Sequence, residues 1–240
     1  MSSRPRGTRP ARPAAAPLAT VEETLRAMGE TYRDDPVKAV RSQTFIKQLH
    51  QFVGLQFETR LTRFARSRGI QVVYEATILG STKPKDVDIA VIDPQNGPLV
   101  MVGIRSQMSS VSKNVLLYYE GIVGEATSLQ ERFPISTLGY IYLHPLHSIK
   151  EGMEGEHIDH ARYAKMYAAV SGRSGRGYKN LRGVFDEFAY MIVDFEDSPP
   201  SLHDDLVANA TQDLDMRLST FTDRMIAKFR ARLLFWDVFA

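Results

Sequence analysis

The residues whose types and spacing could do chemistry concentrate between Lys83 and Asn114, KPKDVDIAVIDPQNGPLVMVGIRSQMSSVSKN. Val87, Ile89 and Val91 alternate with Asp88 and Ala90, which predicts a strand with one apolar face. Pro94, Asn96, Gly97 and Pro98 supply a turn. Leu99 to Gln107 then reads as a second strand, apolar at first and polar at Arg105-Ser106-Gln107. Residues of equal parity share a strand face, so Gly103, Arg105 and Gln107 point one way. Hairpin pairing brings Asp88 near that row. A carboxylate between apolar neighbours has no evident structural task. Holding Mg2+ through one or two carboxylates, with phosphate and water filling the rest of its shell, would give it one.

A second constellation lies downstream. Arg162, Lys165, Arg173, Arg176, Lys179 and Arg182 occur with no acidic residue among them, and the last four sit in a Gly-rich stretch with Tyr178. Such a segment can follow a phosphate backbone; it could equally be a solvated loop. Lys113 and Asn114 follow a Ser-rich turn that suits phosphate contact, or they are ordinary first-turn residues.

Several elements must position these groups. Thr20 is a good N-cap, with Glu22 and Glu23 in the first helical turn. That helix ends near Asp34-Asp35, and Pro36 can open the next. A long amphipathic helix follows through Phe45, Leu49, Phe52, Val53, Phe57, Leu61 and Phe64, stopping at Gly69. Glu58 lies beside its apolar stripe. Ile70 to Leu79 reads as a strand before the hairpin. Ser109 or Ser110 caps a helix that ends before Pro134. Strands are expected at 137–143 and 187–195, with helices at 159–170 and 214–235. The order describes an α/β domain, a mixed central sheet flanked by helices.

Composition narrows the function classes. An apolar fraction of 43% over 240 residues supports one substantial core. No apolar run approaches the roughly 18–20 residues that cross a bilayer, and without cysteine there is no disulfide framework or thiolate metal site. Cytoplasmic residence is the expectation. Residues 1–19, rich in Arg, Pro and Ala, read as a disordered tail, and 20–240 as one domain. Setting aside Arg4, Arg6, Arg9 and Arg12 leaves 26 basic against 28 acidic residues, so nucleic-acid affinity must come from local patches. The histidine pairs lack a recognised zinc spacing, and no P-loop, dinucleotide fingerprint or G-x-S-x-G elbow occurs.

The helix carrying GLQFETRL, the strand DVDIAVID and the strand LVMVGIRSQ together resemble the core of the PD-(D/E)XK nuclease superfamily, to which many type II restriction endonucleases belong. The resemblance spans about residues 45–200. It implies a restriction-endonuclease-like fold, Mg2+-dependent hydrolysis of double-stranded DNA, a homodimer, and a possible companion DNA methyltransferase. Glu58 matches the helix glutamate and Asp88 the strand aspartate, so both are expected metal ligands. The Glu-x-Lys element has departed: Gly103 stands for its acid and Arg105 for its lysine. Arg105 stays protonated and cannot be a general base, but it can bind the scissile phosphate. Gln107 offers a weaker neutral ligand. A displaced carboxylate is then required, and Glu75, Glu120 and Glu125 are the candidates. Without one, the chain would be a nuclease-fold DNA-binding or sensing subunit. Lys113, Arg173, Arg176, Lys179 and Arg182 are the expected DNA contacts.

Overall fold

In the computed structural model, which describes residues 20–34, 44–147, 157–172, 184–212 and 214–240, the first described turn is set by a reciprocal cap. Glu23 N–H donates to Thr20 Oγ1, and Thr20 N–H donates to Glu23 Oε2. This opens α1, Val21–Asp34. The tail and Pro36 lie outside the described residues. Helix α2, Thr44–Arg60, carries the expected apolar stripe but is shorter than its periodicity predicts. Leu61 instead forms a bridge with Phe239, and Thr62 accepts the N–H of Ala65 to cap a separate short helix, α3, Arg63–Ser67. Long-range pairing with the C-terminus thus interrupts a pattern that is locally helical.

Six strands follow among the described residues: β1 Gln71–Leu79, β2 Pro84–Asp93, β3 Gly97–Ser106, β4 Thr137–Pro145, β5 Glu187–Asp194 and β6 Ser201–Leu202. They form one sheet in chain order. The first three strands make an antiparallel meander. β4 lies parallel to β3 after α4, Val111–Arg132, and β5 lies parallel to β4 after α5, His160–Ala168. The sequence does not announce β6 or the short α6, Asp204–Ala210. The last helix, α7, runs Leu218–Arg232 rather than 214–235, because Asp215 accepts the N–H of Arg217 and the hydroxyl of Thr220 just before it.

The fold is therefore α/β, with a mixed sheet between two helical layers. One face packs Ile89, Val91, Val100 and Val102 with residues of α1, α2 and α7. The other packs Ala90, Met101, Tyr140 and Tyr142 with residues of α4 and α5. No helix among the described residues is long and apolar enough to cross a membrane.

The alternation expected of Val87, Ile89 and Val91 fails at one point. Ile89 and Val91 join the first core, but Val87 joins the second. On β1, Val72 packs with the first core and Val73 with the second, yet Ala76 and Ile78 also belong to the second. Glu75 causes the switch: its φ of 52° is left-handed, and the β1–β2 register passes from Tyr74↔Ile89 to Ala76↔Val87. Glu75 and Asp88 thus lie opposite one another at a break in the sheet.

Candidate active site

Asp88 stands where the sheet forks. The β2–β3 ladder pairs Ile89 with Val102, and the ladder positions toward the site beyond that pair are not joined. There the main-chain N–H of Ile104 donates to Asp88 Oδ2 at 2.6 Å. A side chain thus replaces a ladder partner, and β3 can peel away from β2 without leaving a buried donor unsatisfied.

Arg105 links this aspartate to a second carboxylate. Its Nη1 donates to Asp88 Oδ2 and its Nη2 to Glu125 Oε2, each at 3.3 Å. Glu125 comes from α4, and its Oε1 accepts the hydroxyl of Tyr140 on β4 at 3.0 Å. Burial, reinforced by the Glu125 carboxylate, pushes the Tyr140 phenol well above its ordinary range, so it acts as a donor. Of the three candidates for a displaced carboxylate, Glu125 is the one that joins Asp88.

The same tyrosine accounts for the glycine at position 103. A Cβ at Gly103 would overlap the Tyr140 ring. No acid can grow from position 103 while Tyr140 occupies that space. The carboxylate beside that ring is Glu125 of α4, held by the phenol.

Two other neighbours complete the corner. His50 on α2 places Nε2 3.7 Å from Asp88 Oδ1, and burial lowers its pKa despite that aspartate. Lys47, one turn earlier, pairs with Glu75 at 2.9 Å. The hydrogen bond from Lys47 holds the Glu75 carboxyl below its usual range. With His50 neutral, Asp88, Glu125 and Arg105 leave one excess negative charge. Asp88 remains partly open, its side chain 16% exposed.

The other expected site residues lie elsewhere. Glu58 is exposed two turns beyond His50 on α2 and contributes no bond to Asp88 among the described residues; its charge acts on Tyr74, whose ring fills the space beside Gly54. Gln107 is buried with both ends of its amide engaged. It accepts the Tyr142 hydroxyl at 2.8 Å and donates to Ser110 O at 2.9 Å. It ties β3 to the start of α4, where Ser110 supplies no side-chain cap. Lys113 is exposed in the first turn of α4. Arg173, Arg176, Lys179 and Arg182 lie outside the described residues, while Arg162 and Lys165 are on α5.

The sequence reading missed His50 and Tyr140. The signal for His50 was present: Ile46, His50, Val53 and Phe57 form one buried helical stripe, and the histidine is its single titratable member. Nothing local marks Tyr140. Comparisons of the chain with protein-family models, with curated proteins and with solved structures find no match.

Proposed function

We propose that the chain is a metal-dependent DNA endonuclease of the restriction type, on a restriction-endonuclease-like form of the mixed sheet. The observation that carries this reading is the meeting of Asp88 and Glu125 at one guanidinium. The order α2, β1, β2, β3 agrees with the helix–strand–strand arrangement that the sequence resemblance implies.

The donor set fits a hard dication. Two carboxylates and a net negative charge favour a cation, and a phosphodiester would be repelled from this corner without one. Among the described residues no three His, Cys, Asp or Glu groups converge to hold a metal. Mg2+ is commonly held by one or two carboxylates, with water and phosphate completing its shell. Asp88 is the residue that would hold it, on Oδ1, since Oδ2 already accepts two donors. A bound Mg2+ would supply Lewis-acid polarisation of the phosphate and a more acidic attacking water.

The chain's own residues do the positioning. Ile104 and Arg105 fix the Asp88 carboxylate. Three of the five guanidinium N–H groups of Arg105 go to Asp88, Glu125 and the Ile104 carbonyl. The remaining two are available to a phosphate oxygen as charge-assisted donors, where they would stabilise developing negative charge. Duplex DNA is the proposed substrate and a second copy the proposed partner, as palindromic targets favour two-fold symmetry. Cytoplasmic residence accords with the absence of cysteine.

A second reading has its own support. The Arg105 guanidinium stands between the two carboxylates and offsets part of their charge, so the corner can stand without a metal ion and the fold can bind DNA by other surfaces. The test is cleavage of plasmids of varied sequence with Mg2+, comparing wild type with Asp88→Ala. Cutting by the wild type alone supports the endonuclease. Metal-independent DNA binding by both proteins, with cutting by neither, favours the binding subunit.

A further inference from the structure

The two oxygens of Asp88 face different surroundings. Oδ2 accepts from Ile104 and Arg105, whereas Oδ1 is directed to His50 Nε2 at 3.7 Å. That separation is too long for a hydrogen bond. The His50 side chain is only 8% exposed, and Nε2 has no hydrogen-bond partner. An unsatisfied buried polar atom costs about 1–3 kcal/mol, so its persistence beside a carboxylate calls for a reason. Packing fixes its position: Ile46, Leu49, Val53 and Phe57 are buried around it on α2.

A shared metal ion would satisfy both atoms. Metal–nitrogen and metal–oxygen bonds of about 2.0–2.2 Å put adjacent ligands roughly 3–3.5 Å apart, close to the observed gap. The backbone supplies a second, independent pointer. Glu75 lies opposite Asp88 with its left-handed φ of 52°, in a strand where regular pairing was available on both sides. Left-handed backbone at a residue other than glycine costs about 1–3 kcal/mol and clusters at ligand sites. Through Lys47, Glu75 is tied to the turn of α2 that precedes His50.

We propose that His50 Nε2 is a metal ligand alongside Asp88 Oδ1, and that this makes the site favour a first-row transition dication over Mg2+, with Mn2+ as its spectroscopic probe. The inference rests on the reading of Asp88 as the metal-holding carboxylate. Its chemical basis is that Mg2+ takes oxygen ligands almost exclusively, whereas imidazole nitrogen suits transition ions. The Arg105 bridge occupies the opposite oxygen and stays intact.

The experiment is Mn2+ titration of the full chain followed by electron paramagnetic resonance, with pulsed detection of nitrogen coupled to the bound ion. The expected result is one bound Mn2+ per chain with an imidazole nitrogen coupling. The coupling disappears in His50→Gln, with affinity at least about tenfold weaker, and it persists in Glu58→Gln. Bound Mn2+ without nitrogen coupling in the wild type overturns the proposal, as does coupling unchanged in His50→Gln or no Mn2+ binding at all. The wild-type spectrum decides even if the variant fails to fold. Plasmid cutting is read in parallel. Cutting without nitrogen coupling defeats the His50 assignment and leaves the endonuclease reading; coupling without cutting does the reverse.

Discussion

The main-chain N–H of Ile104 donates to the side chain of Asp88 at 2.6 Å, at the point where β2 and β3 part. One carboxylate thus terminates a ladder and forms the floor of the candidate site. Asp88→Asn keeps an acceptor for this N–H, whereas Asp88→Ala leaves it without one. Urea denaturation should find Asp88→Ala less stable than Asp88→Asn by about 1–3 kcal/mol. Equal stabilities would mean that Ile104 does not depend on this bond.

Gly103 and Tyr140 make a second pair that cannot be changed separately. Because a Cβ at 103 overlaps the Tyr140 ring, Gly103→Ala should lower stability by about 1–3 kcal/mol. Placing an acid there with Gly103→Glu should destabilise further and not raise the proposed cleavage. Thermal denaturation and plasmid cutting check the two parts.

Glu75 yields a prediction of opposite sign. Its left-handed backbone is unfavourable for any side chain, and its pair with Lys47 is exposed and of little worth. Glu75→Gly should therefore stabilise the fold by about 1 kcal/mol, measured by urea denaturation. Loss of stability would show that the carboxylate itself holds the corner together.

Much of the site's framework was legible in the sequence, because the hairpin combines alternation with strong turn residues. Asp88 and Arg105 were placed on its two strands that way. Which of Glu75, Glu120 and Glu125 is bridged to Asp88 by Arg105 was not legible. It depends on the Tyr140 ring, which arrives from β4 and both blocks position 103 and bonds Glu125. His50 was legible as the single titratable member of its helical stripe with Ile46, Val53 and Phe57, but its nearness to Asp88 was not. The parity switch at Glu75 was invisible because glutamate has no preference for left-handed backbone. Similarly, the end of α2 is set by Phe239 pairing with Leu61, a contact no local pattern encodes.

Acid should weaken the fold through a buried chain of polar rings. His160 Nε2 lies 3.0 Å from the Leu146 carbonyl and must be its donor. His160 Nδ1 then accepts from the Tyr190 hydroxyl, whose oxygen accepts from His144 Nδ1. Burial lowers the His144 pKa to about 3. An unfolded histidine titrates near 6.5. The neutral ring's contribution is therefore complete above about pH 6.5 and is lost as pH falls toward about 3. Unfolding free energy should drop by about 1.4 kcal/mol per pH unit for this group over that range. His144→Gln should flatten the slope by one proton.

Arg105→Lys retains the charge but cannot span both carboxylates. It should lower single-turnover cleavage by roughly 10²-fold while leaving weak DNA binding, read by electrophoretic mobility shift, in place. Unchanged cleavage would show that the guanidinium fork has no part in the chemistry.

The central claim is that Asp88 and Glu125 are the two carboxylates of one site. Single-turnover plasmid cleavage by Asp88→Asn, Glu125→Gln and Glu120→Gln tests it most directly. Asp88→Asn and Glu125→Gln should each lose at least about 10²-fold, while Glu120→Gln cuts like the wild type. Wild-type cutting by Glu125→Gln would contradict it.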